Sequence, residues 1–184
     1  MADASRRAVF LDRDGTIVED PGFLHQPGKV RLLAGAGEAI HQLNQAGWLV
    51  ITVSNQSGIA RGLYGAAAYQ AVQRRLVELL AAHDARLDGA YFCPHHPAFT
   101  GPCECRKPGL LLFREAQAAL GLDLTRCRWV GDRLSDVEPA RKLGGRALLV
   151  ETGGGATHVG KARALRIPVV ADLAAAAAEI VRGA

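Results

Sequence analysis

The chain has 184 residues, of which 49% are hydrophobic and 22% are charged. These proportions are those of a globular protein and exclude a disordered or fibrous one. The length suits one buried core, so we predict a single domain over residues 1–184. The formal net charge of +4 favours small phosphorylated partners rather than nucleic acid, because the basic residues are scattered and form no stripe with aromatic residues.

Short apolar runs alternate with helical patterns along the chain. The runs predict strands at residues 8–11, 49–53, 90–92, 129–130 and 147–150. Apolar residues recur at helical spacing between Tyr69 and Leu80 and between Leu110 and Leu120, and the alanine-rich segment 171–178 suits a terminal helix. This alternation predicts an α/β fold: a Rossmann-like three-layer sandwich with a mainly parallel sheet.

Connections between these elements are too short to form a large cap domain, so selectivity should come from loops. Two candidates are the loop at 19–31, which is rich in Pro and Gly, and the loop at 93–107. The run Gly153-Gly154-Gly155 predicts a third, flexible loop.

The first predicted strand ends in Asp12-Arg13-Asp14-Gly15-Thr16. Parallel α/β sheets hold their ligands at the carboxyl ends of the strands, and a glycine lets the chain turn sharply there. One aspartate could attack phosphorus while the other handles the proton of the leaving group. The alternative for this motif alone is a strand that ends in a polar turn.

Three later segments could complete a phosphate site. Ser54-Asn55-Gln56-Ser57-Gly58 follows the second strand and offers a hydroxyl and backbone amides to phosphate oxygens, although it could equally cap a helix. Lys107 precedes a helix and could supply a fixed positive charge. Asp132 and Asp136 follow the fourth strand and could complete a magnesium site.

Electrostatics explains the need for a metal. A phosphate dianion that approaches Asp12 meets a repulsion of roughly 4 kcal/mol per close charge pair at an effective dielectric constant near 20. Mg²⁺, which prefers oxygen ligands, could offset this repulsion if Asp12, Asp132 and a backbone carbonyl near Asp14 bind it.

These four segments, in this order, resemble the motifs of the haloacid dehalogenase superfamily of phosphotransferases. The resemblance implies that Asp12 is the nucleophile and that Asp14 is the general acid and base. It also implies that Ser54 and Lys107 hold the transferred phosphoryl group and that Asp132 binds Mg²⁺.

The loop at 93–107 contains three cysteines and two histidines. Cys93, Cys103, Cys105 and one imidazole form a soft, tetrahedral ligand set suited to a structural Zn²⁺ ion, which would order the loop just before Lys107. The resemblance favours His95 as the fourth ligand, and His96 remains the alternative. Reduced surface cysteines without metal are the simpler alternative.

Within the superfamily, the zinc loop joined to Cys-x-Cys-Arg-Lys-Pro is similar to that of the heptose bisphosphate phosphatases and of the histidinol phosphatases, and Ser57 favours the former. The resemblance implies removal of the 7-phosphate of D-glycero-D-manno-heptose 1,7-bisphosphate through an aspartyl phosphate, with the anomer left open. The product would feed nucleotide-activated heptose for lipopolysaccharide. The implied substrate-binding residues are Arg13, Asp20, Gly22, Phe23, Asn55, Gln56, Ser57, Arg61, Arg106 and Arg133.

Two alternatives stay open: a phosphatase for histidinol phosphate or another small phosphomonoester, and a non-enzymatic zinc module that binds phosphorylated ligands. No apolar run reaches the ~20 residues that span a bilayer, and residues 1–7 lack the apolar region of a signal peptide. We therefore expect a cytoplasmic protein without a membrane partner, and a monomer.

Overall fold

The computed structural model describes residues 6–183. Residues 1–5 and 184 lie outside the described residues. The two ends of the predicted domain, and most of segment 1–7 in which no signal-peptide pattern was found, are therefore not described. The strands of the described part are β1 (Ala8–Leu11), β2 (Leu49–Asn55), β3 (Gly89–Cys93), β4 (Arg128–Gly131), β5 (Arg146–Val150) and β6 (Val169–Val170).

Helices connect these strands. The α-helices within residues 6–183 are α1 (Ala36–Gln45), α2 (Ser57–Ala60), α3 (Ala66–Ala81), α4 (Pro97–Thr100), α5 (Leu111–Leu120), α6 (Leu134–Leu143), α7 (Val159–Ala164) and α8 (Leu173–Arg182). Three short 3₁₀ turns lie at Pro27–Lys29, Leu124–Arg126 and Gly155–His158. None of the helices in this range combines the length and the apolar character that crossing a membrane requires.

The strands form one parallel sheet in the order β3-β2-β1-β4-β5-β6. From β1, the chain adds β2 and β3 on one side of the sheet; it then returns to place β4 on the other side of β1 and adds β5 and β6 there. The strand order therefore reverses beside β1, and the crevice outside the carboxyl ends of β1 and β4 is the expected ligand position of such a sheet.

Alternate residues of β1 enter opposite faces of the sheet. Val9 and Leu11 belong to a core shared with α1, α3 and α8, whereas Phe10 belongs to a core with α5. The Phe10 ring packs edge-on against Phe113 at 5.1 Å and beside Trp129 at 4.9 Å. Burial on both faces explains why β1 is apolar throughout, and the predicted three-layer fold is confirmed.

Two details differ from the sequence-based expectation. The sixth strand, Val169–Val170, is too short to give a pattern and pairs only with β5. The glycine run predicted to be a flexible loop instead packs on the carboxyl end of β1, where the Cα of Gly153 would lie 3.1 Å from a Cβ added to Gly15.

Candidate active site

Asp12 directly follows β1 and is fixed at the centre of the sheet. Its backbone N–H donates a hydrogen bond to the carbonyl of Val130 in β4 at 3.0 Å. The chain then turns at Gly15, whose φ of +88° lies in the region that only glycine adopts easily. This turn leaves Asp12 and Asp14 at the carboxyl edge of the sheet, as the sequence predicts.

Asp14 is held by two neighbours. Arg13 Nε donates to Asp14 Oδ1 at 2.9 Å, and Arg13 Nη2 donates to Asp14 Oδ2 at 2.9 Å. Gln56 Nε2 donates to Asp14 Oδ2 at 3.0 Å. The Arg13 side chain is 0% exposed, so the geometry makes Arg13 a support for Asp14 rather than a group open to substrate.

Lys107 reaches Asp12 from the other side. Its Nζ donates to Asp12 Oδ1 at 2.6 Å and to the carbonyl of Val53 at 2.5 Å, and it pairs with Asp136 Oδ1 at 2.9 Å. Because an ammonium group has three donors, these contacts use all of them. The side chain amide of Asn55 holds the backbone of Lys107, so Asn55 also acts as a support.

Ser54 and Gln56 form the floor beside Asp14. Ser54 is 1% exposed and Gln56 is 2% exposed. Gln56 Nε2 donates to Ser54 Oγ at 2.5 Å, which leaves the Ser54 O–H free to donate to a phosphate oxygen. Ser57 is the first residue of α2 and is half-buried.

Asp132 lies at the end of β4 and is 0% exposed. Its Oδ2 accepts a hydrogen bond from the N–H of Gly154 at 2.7 Å, while its Oδ1 is buried without a partner. Thr152 Oγ1 also donates to the carbonyl of Gly15 at 2.7 Å. The glycine-rich loop after β5 thus orients Asp132, a role that composition alone did not reveal.

The carboxylates of Asp12, Asp132 and Asp136 fit a hard cation. Ligand oxygens of the three lie within 4.8 Å of one another. A buried carboxylate oxygen without a partner, such as Asp132 Oδ1, is costly unless a cation or a hydrogen-bond donor meets it. Oxygen donors of this kind are the ligands that Mg²⁺ prefers.

Asp136 also caps a helix and pairs with Lys107. Its Oδ2 accepts the N–H of Arg133 at 2.9 Å, which caps the start of α6, while its Oδ1 faces Lys107. A Cβ added to Gly131 would lie 2.7 Å from Asp136 Oδ2. The glycine before Asp132 is therefore needed for Asp136 to pack against β4.

The pKa values in the site reflect burial and crowding of like charges. Burial raises the pKa of Asp12 well above its ordinary value; Lys107 opposes the shift and the neighbouring carboxylates add to it. Burial, then repulsion from Asp136, raises the pKa of Asp132 to about 6. Burial alone lowers the pKa of Lys107, but Asp12 and Asp136 outweigh it and raise the pKa, so the ammonium stays charged. The site is therefore electrostatically suited to a further cation.

The second cluster lies in the loop between β3 and α5. Cys105 Sγ is 2.8 Å from Cys93 Sγ, 3.5 Å from Cys103 Sγ and 3.2 Å from His95 Nδ1. All four ligand atoms lie within 4.8 Å of one another, so they could hold a metal ion. His96 instead accepts the N–H of Ala98 at the start of α4. Of the two candidate histidines, the structure brings only His95 into the cluster.

Arginines rim the crevice. Arg133 is 56% exposed, and its Nη2 lies 3.6 Å from Asp20 Oδ2. Arg106 Nη1 donates to the carbonyl of His95 at 3.3 Å. The guanidinium of Arg61 lies 5.6 Å from the ring centre of Phe23 and 4.8 Å from that of Phe99.

The 19–31 loop reaches the same rim. Asp20 Oδ1 accepts the N–H of Gly22 at 3.0 Å, which forms a tight turn, and Phe23 follows with a φ of +52° and 43% exposure. Phe23 contacts Arg61 and Asp20 contacts Arg133. The structure therefore brings the predicted substrate residues of this loop to the arginines.

Sequence reasoning missed three residues near the site. Tyr64 donates its O–H to Gln56 Oε1 at 2.7 Å, and the ring of His25 stacks on Tyr64 at 5.4 Å. Phe99 completes the stack on Arg61. No motif marks these positions, because each acts through a contact that only the tertiary structure creates.

Known proteins match the chain in family, sequence and structure. A family model described as HAD-hydrolase-like matches residues 104–176. The D-glycero-beta-D-manno-heptose-1,7-bisphosphate 7-phosphatase of Haemophilus ducreyi is 38% identical over 165 residues, which cover 86% of this chain and 91% of the relative. Seven further curated relatives with the same name are 38% or 39% identical.

Two solved structures share the fold over nearly the whole chain. The D,D-heptose 1,7-bisphosphate phosphatase of B. bronchiseptica, complexed with magnesium and phosphate, has a TM-score of 0.88 and 34% identity and covers 97% of this chain and 99% of its own. The corresponding phosphatase of Burkholderia thailandensis has a TM-score of 0.71 and 30% identity and covers 96% of this chain and 99% of its own.

Proposed function

The chain belongs to the HAD-like hydrolases and, among them, to the D-glycero-beta-D-manno-heptose-1,7-bisphosphate 7-phosphatase family. On this premise we propose that it is a magnesium-dependent phosphatase that removes the 7-phosphate of this sugar bisphosphate. The observation that carries the proposal is the contact of Lys107 Nζ with Asp12 Oδ1 beside the carboxylates of Asp132 and Asp136. A nucleophile, a fixed cation and a cation site thus meet at one end of the sheet.

The reaction proceeds in two displacements. A carboxylate oxygen of Asp12 attacks the phosphorus of the 7-phosphate, the bond from phosphorus to the C7 oxygen breaks, and Asp14 gives its proton to that oxygen. Asp14 then takes a proton from water as the water oxygen attacks the phosphorus of the aspartyl phosphate. Inorganic phosphate leaves and the carboxylate of Asp12 is restored.

Lys107 and Ser54 stabilise the transferred group. Once Asp12 carries the phosphoryl group, the Lys107 N–H that points to Asp12 Oδ1 can donate to a phosphoryl oxygen instead, and the Ser54 O–H can donate to another. Asp136 keeps Lys107 in place, and Arg13 and Gln56 hold Asp14. These contacts exist before substrate binds, so the site is preorganised.

Asp12, Asp132 and the carbonyl of residue 14 would hold Mg²⁺. The ion supplies positive charge that allows the phosphate dianion to approach the anionic nucleophile. The support for it is the unpartnered Asp132 Oδ1 and the raised pKa of both aspartates, together with the magnesium in the B. bronchiseptica relative.

Cys93, His95, Cys103 and Cys105 would hold a structural Zn²⁺ ion. A soft set of three thiolates and one imidazole is the usual ligand set of such sites. The last ligand, Cys105, is two residues before Lys107. Metal binding would therefore order the segment that delivers the catalytic ammonium.

The rim selects the substrate. Arg106 and Arg133 would pair with the distal 1-phosphate, and Asp20, Gly22 and Phe23 would contact the sugar, with Asn55, Gln56, Ser57, Arg61 and Arg13 supporting the site. Histidinol phosphate carries a cationic amine, which an arginine rim disfavours. We propose the beta anomer, because eight curated relatives carry it in their name.

The test is a phosphate-release panel with Mg²⁺. It compares both anomers of the heptose 1,7-bisphosphate with fructose 1,6-bisphosphate, histidinol phosphate and 4-nitrophenyl phosphate. We expect the highest kcat/KM for the beta heptose bisphosphate. A preference for histidinol phosphate would overturn the substrate assignment, and phosphate binding without release from any substrate would favour the non-enzymatic module.

The remaining proposals concern the setting of the enzyme. We propose that it acts in the cytoplasm as a monomer, without nucleic acid or membrane, on a sugar that enters nucleotide-activated heptose for lipopolysaccharide. Light scattering of the purified protein with and without substrate measures the oligomeric state. A stable dimer would contradict the proposed monomer.

A further inference from the structure

We propose that Tyr64 is a positioning residue for Asp14, acting through Gln56, and that His25 connects it to the 19–31 loop. The inference deepens the proposed function, because it rests on the role of Asp14 as the acid that protonates the leaving group. The inference rests on the hydrogen bonds that connect Tyr64, Gln56 and Asp14.

The first step is the orientation of Gln56. Its Oε1 accepts the O–H of Tyr64 at 2.7 Å, and its Nε2 donates to Asp14 Oδ2 at 3.0 Å and to Ser54 Oγ at 2.5 Å. A side chain amide can flip and exchange its donor and acceptor ends. Because the Asp14 carboxylate only accepts hydrogen bonds, an N–H of Gln56 faces it, and the O–H of Tyr64, which donates to Oε1, holds the other end of the amide in place.

The second step is the count of acceptor positions on Asp14. A carboxylate oxygen offers about two lone-pair positions. Oδ2 already accepts from Arg13 Nη2 and from Gln56 Nε2, while the one donor to Oδ1 among the described residues is Arg13 Nε. One open position therefore remains on Oδ1, and this is the atom that exchanges the proton with the leaving oxygen.

Tyr64 is itself held rigidly. A Cβ added to Gly58 would lie 2.7 Å from Tyr64 Cζ, so the glycine leaves the space that the ring fills. Burial raises the pKa of Tyr64, which keeps the hydroxyl protonated and able to donate. Gly58 lies in α2, the helix that directly follows Gln56, so the ring packs beside the segment that carries the amide.

His25 extends the connection to the loop that is proposed to contact the sugar. Its ring is nearly parallel to that of Tyr64, at 10° and 5.4 Å, and its Nδ1–H donates to the carbonyl of Phe23 at 2.7 Å. A change in the loop at Phe23 therefore moves the ring that covers Tyr64. Binding of the sugar by the loop and alignment of the acid are coupled through this stack.

The test uses the dependence of the rate on the leaving group. An alkyl phosphate needs a proton on its departing oxygen, whereas 4-nitrophenolate departs without one. Tyr64→Phe should lower kcat/KM for an alkyl phosphate by about fivefold to tenfold, the effect of one lost hydrogen bond, and that for 4-nitrophenyl phosphate by less than about twofold. The alkyl substrate is the best one in the panel, whichever sugar phosphate that proves to be.

Tyr69→Phe is the matched control. Tyr69 is buried where Tyr64 is half-buried, and within residues 6–183 its hydroxyl has no hydrogen-bond partner. Removal of that hydroxyl should leave both values of kcat/KM within about twofold. The quantity kcat/KM is used because it reports only the steps up to cleavage of the leaving group.

A double-mutant cycle provides the second measurement. Gln56→Met should lower kcat/KM for the alkyl phosphate more than that for 4-nitrophenyl phosphate, with a loss on both substrates through Ser54. The double variant with Tyr64→Phe should lose little more than Gln56→Met alone, since Tyr64 acts on Asp14 through Gln56. His25→Leu should raise KM for the heptose bisphosphate as well as lower kcat/KM.

The outcomes test the role of Tyr64 separately from the proposed heptose bisphosphate substrate. Equal losses on both substrates would assign Tyr64 a structural role only, and unchanged rates would overturn the proposal. Additive losses in the cycle would contradict the route through Gln56. Absence of activity on heptose bisphosphate with retained leaving-group selectivity on another alkyl phosphate would refute the proposed substrate and support the role of Tyr64.

Discussion

Asn55 and Lys107 share a pair of hydrogen bonds between a side chain and a backbone 52 residues away. Asn55 Nδ2 donates to the Lys107 carbonyl at 3.2 Å, and the Lys107 N–H donates to Asn55 Oδ1 at 3.0 Å. Asn55 ends β2. The pair therefore fixes the backbone of Lys107 to the end of β2.

Replacement of Asn55 tests this support. Asn55→Leu should lower kcat by about tenfold to a hundredfold, because the Lys107 ammonium loses its fixed position. Asn44→Leu removes a comparable hydrogen bond away from the site, which the N–H of Arg86 donates to Asn44 Oδ1. It should lower Tm by a similar amount while kcat stays the same. Equal loss of kcat in both variants would contradict the prediction.

The covalent step predicts a trapped intermediate. Asp12→Asn should lower kcat by at least about a thousandfold, because it removes the attacking charge with little change in volume. Circular dichroism should show an unchanged fold. Acid quench during turnover, followed by borohydride reduction and peptide mass spectrometry, should mark Asp12; a mark on Asp14 instead would reverse the two roles.

The metal loop predicts one Zn²⁺ ion per chain. Cys103→Ser should lose the ion, lower Tm and lower kcat, because the segment before Lys107 loses its anchor. Cys127→Ala is the control: Cys127 is buried outside the cluster, so its replacement removes a thiol without removing a proposed ligand. Atomic absorption of protein purified without chelators measures the ratio, and a zinc-free, fully active protein would refute the site.

The pH dependence follows from Asp132. Its pKa is raised to about 6 in the fold, above its ordinary value, so the folded protein binds the proton more tightly than the unfolded chain. This contribution to stability is present below about pH 4 and is lost as the pH rises through about 6.

The comparison with Asp132→Asn isolates this contribution. Without metal, the free energy of unfolding of the wild type should fall relative to that of the variant by about 3 kcal/mol between pH 4 and pH 7, which is about two pKa units. Mg²⁺ should restore stability at pH 7 for the wild type only. Denaturant unfolding measures both, and a difference that does not change with pH would contradict the prediction.

The position of Arg133 at the rim predicts that its replacement changes KM for one substrate and not for another. Arg133→Met should raise KM for the heptose bisphosphate about tenfold and leave 4-nitrophenyl phosphate almost unaffected, because only the former has a second phosphate to pair with. Arg146→Met replaces an exposed arginine at the opposite, amino end of β5 and should change neither KM. A parallel rise for both substrates would place Arg133 at the transferred phosphate instead.

The sequence was sufficient for the fold and for the motifs. Strands such as Ala8–Leu11 are apolar at every position because both faces are covered, and that pattern is visible without coordinates. The four motifs stand at strand ends, where a parallel sheet places its ligand site. The five predicted strands are confirmed, with ends that differ by at most two residues, whereas the two residues of β6 were too few for any pattern.

Local sequence determined which residues can react, because carboxylates, an ammonium group and thiols are chemical identities that the chain carries wherever it folds. The tertiary structure decided which of them meet and in what orientation. In the fold, buried Arg13 pairs with Asp14, the N–H of Gly154 in the glycine run after β5 donates to Asp132, and the O–H of Tyr64 donates to Gln56. These contacts depend on directions and distances of a few ångströms between segments far apart in the chain, and no pattern of residue types along the chain encodes such distances.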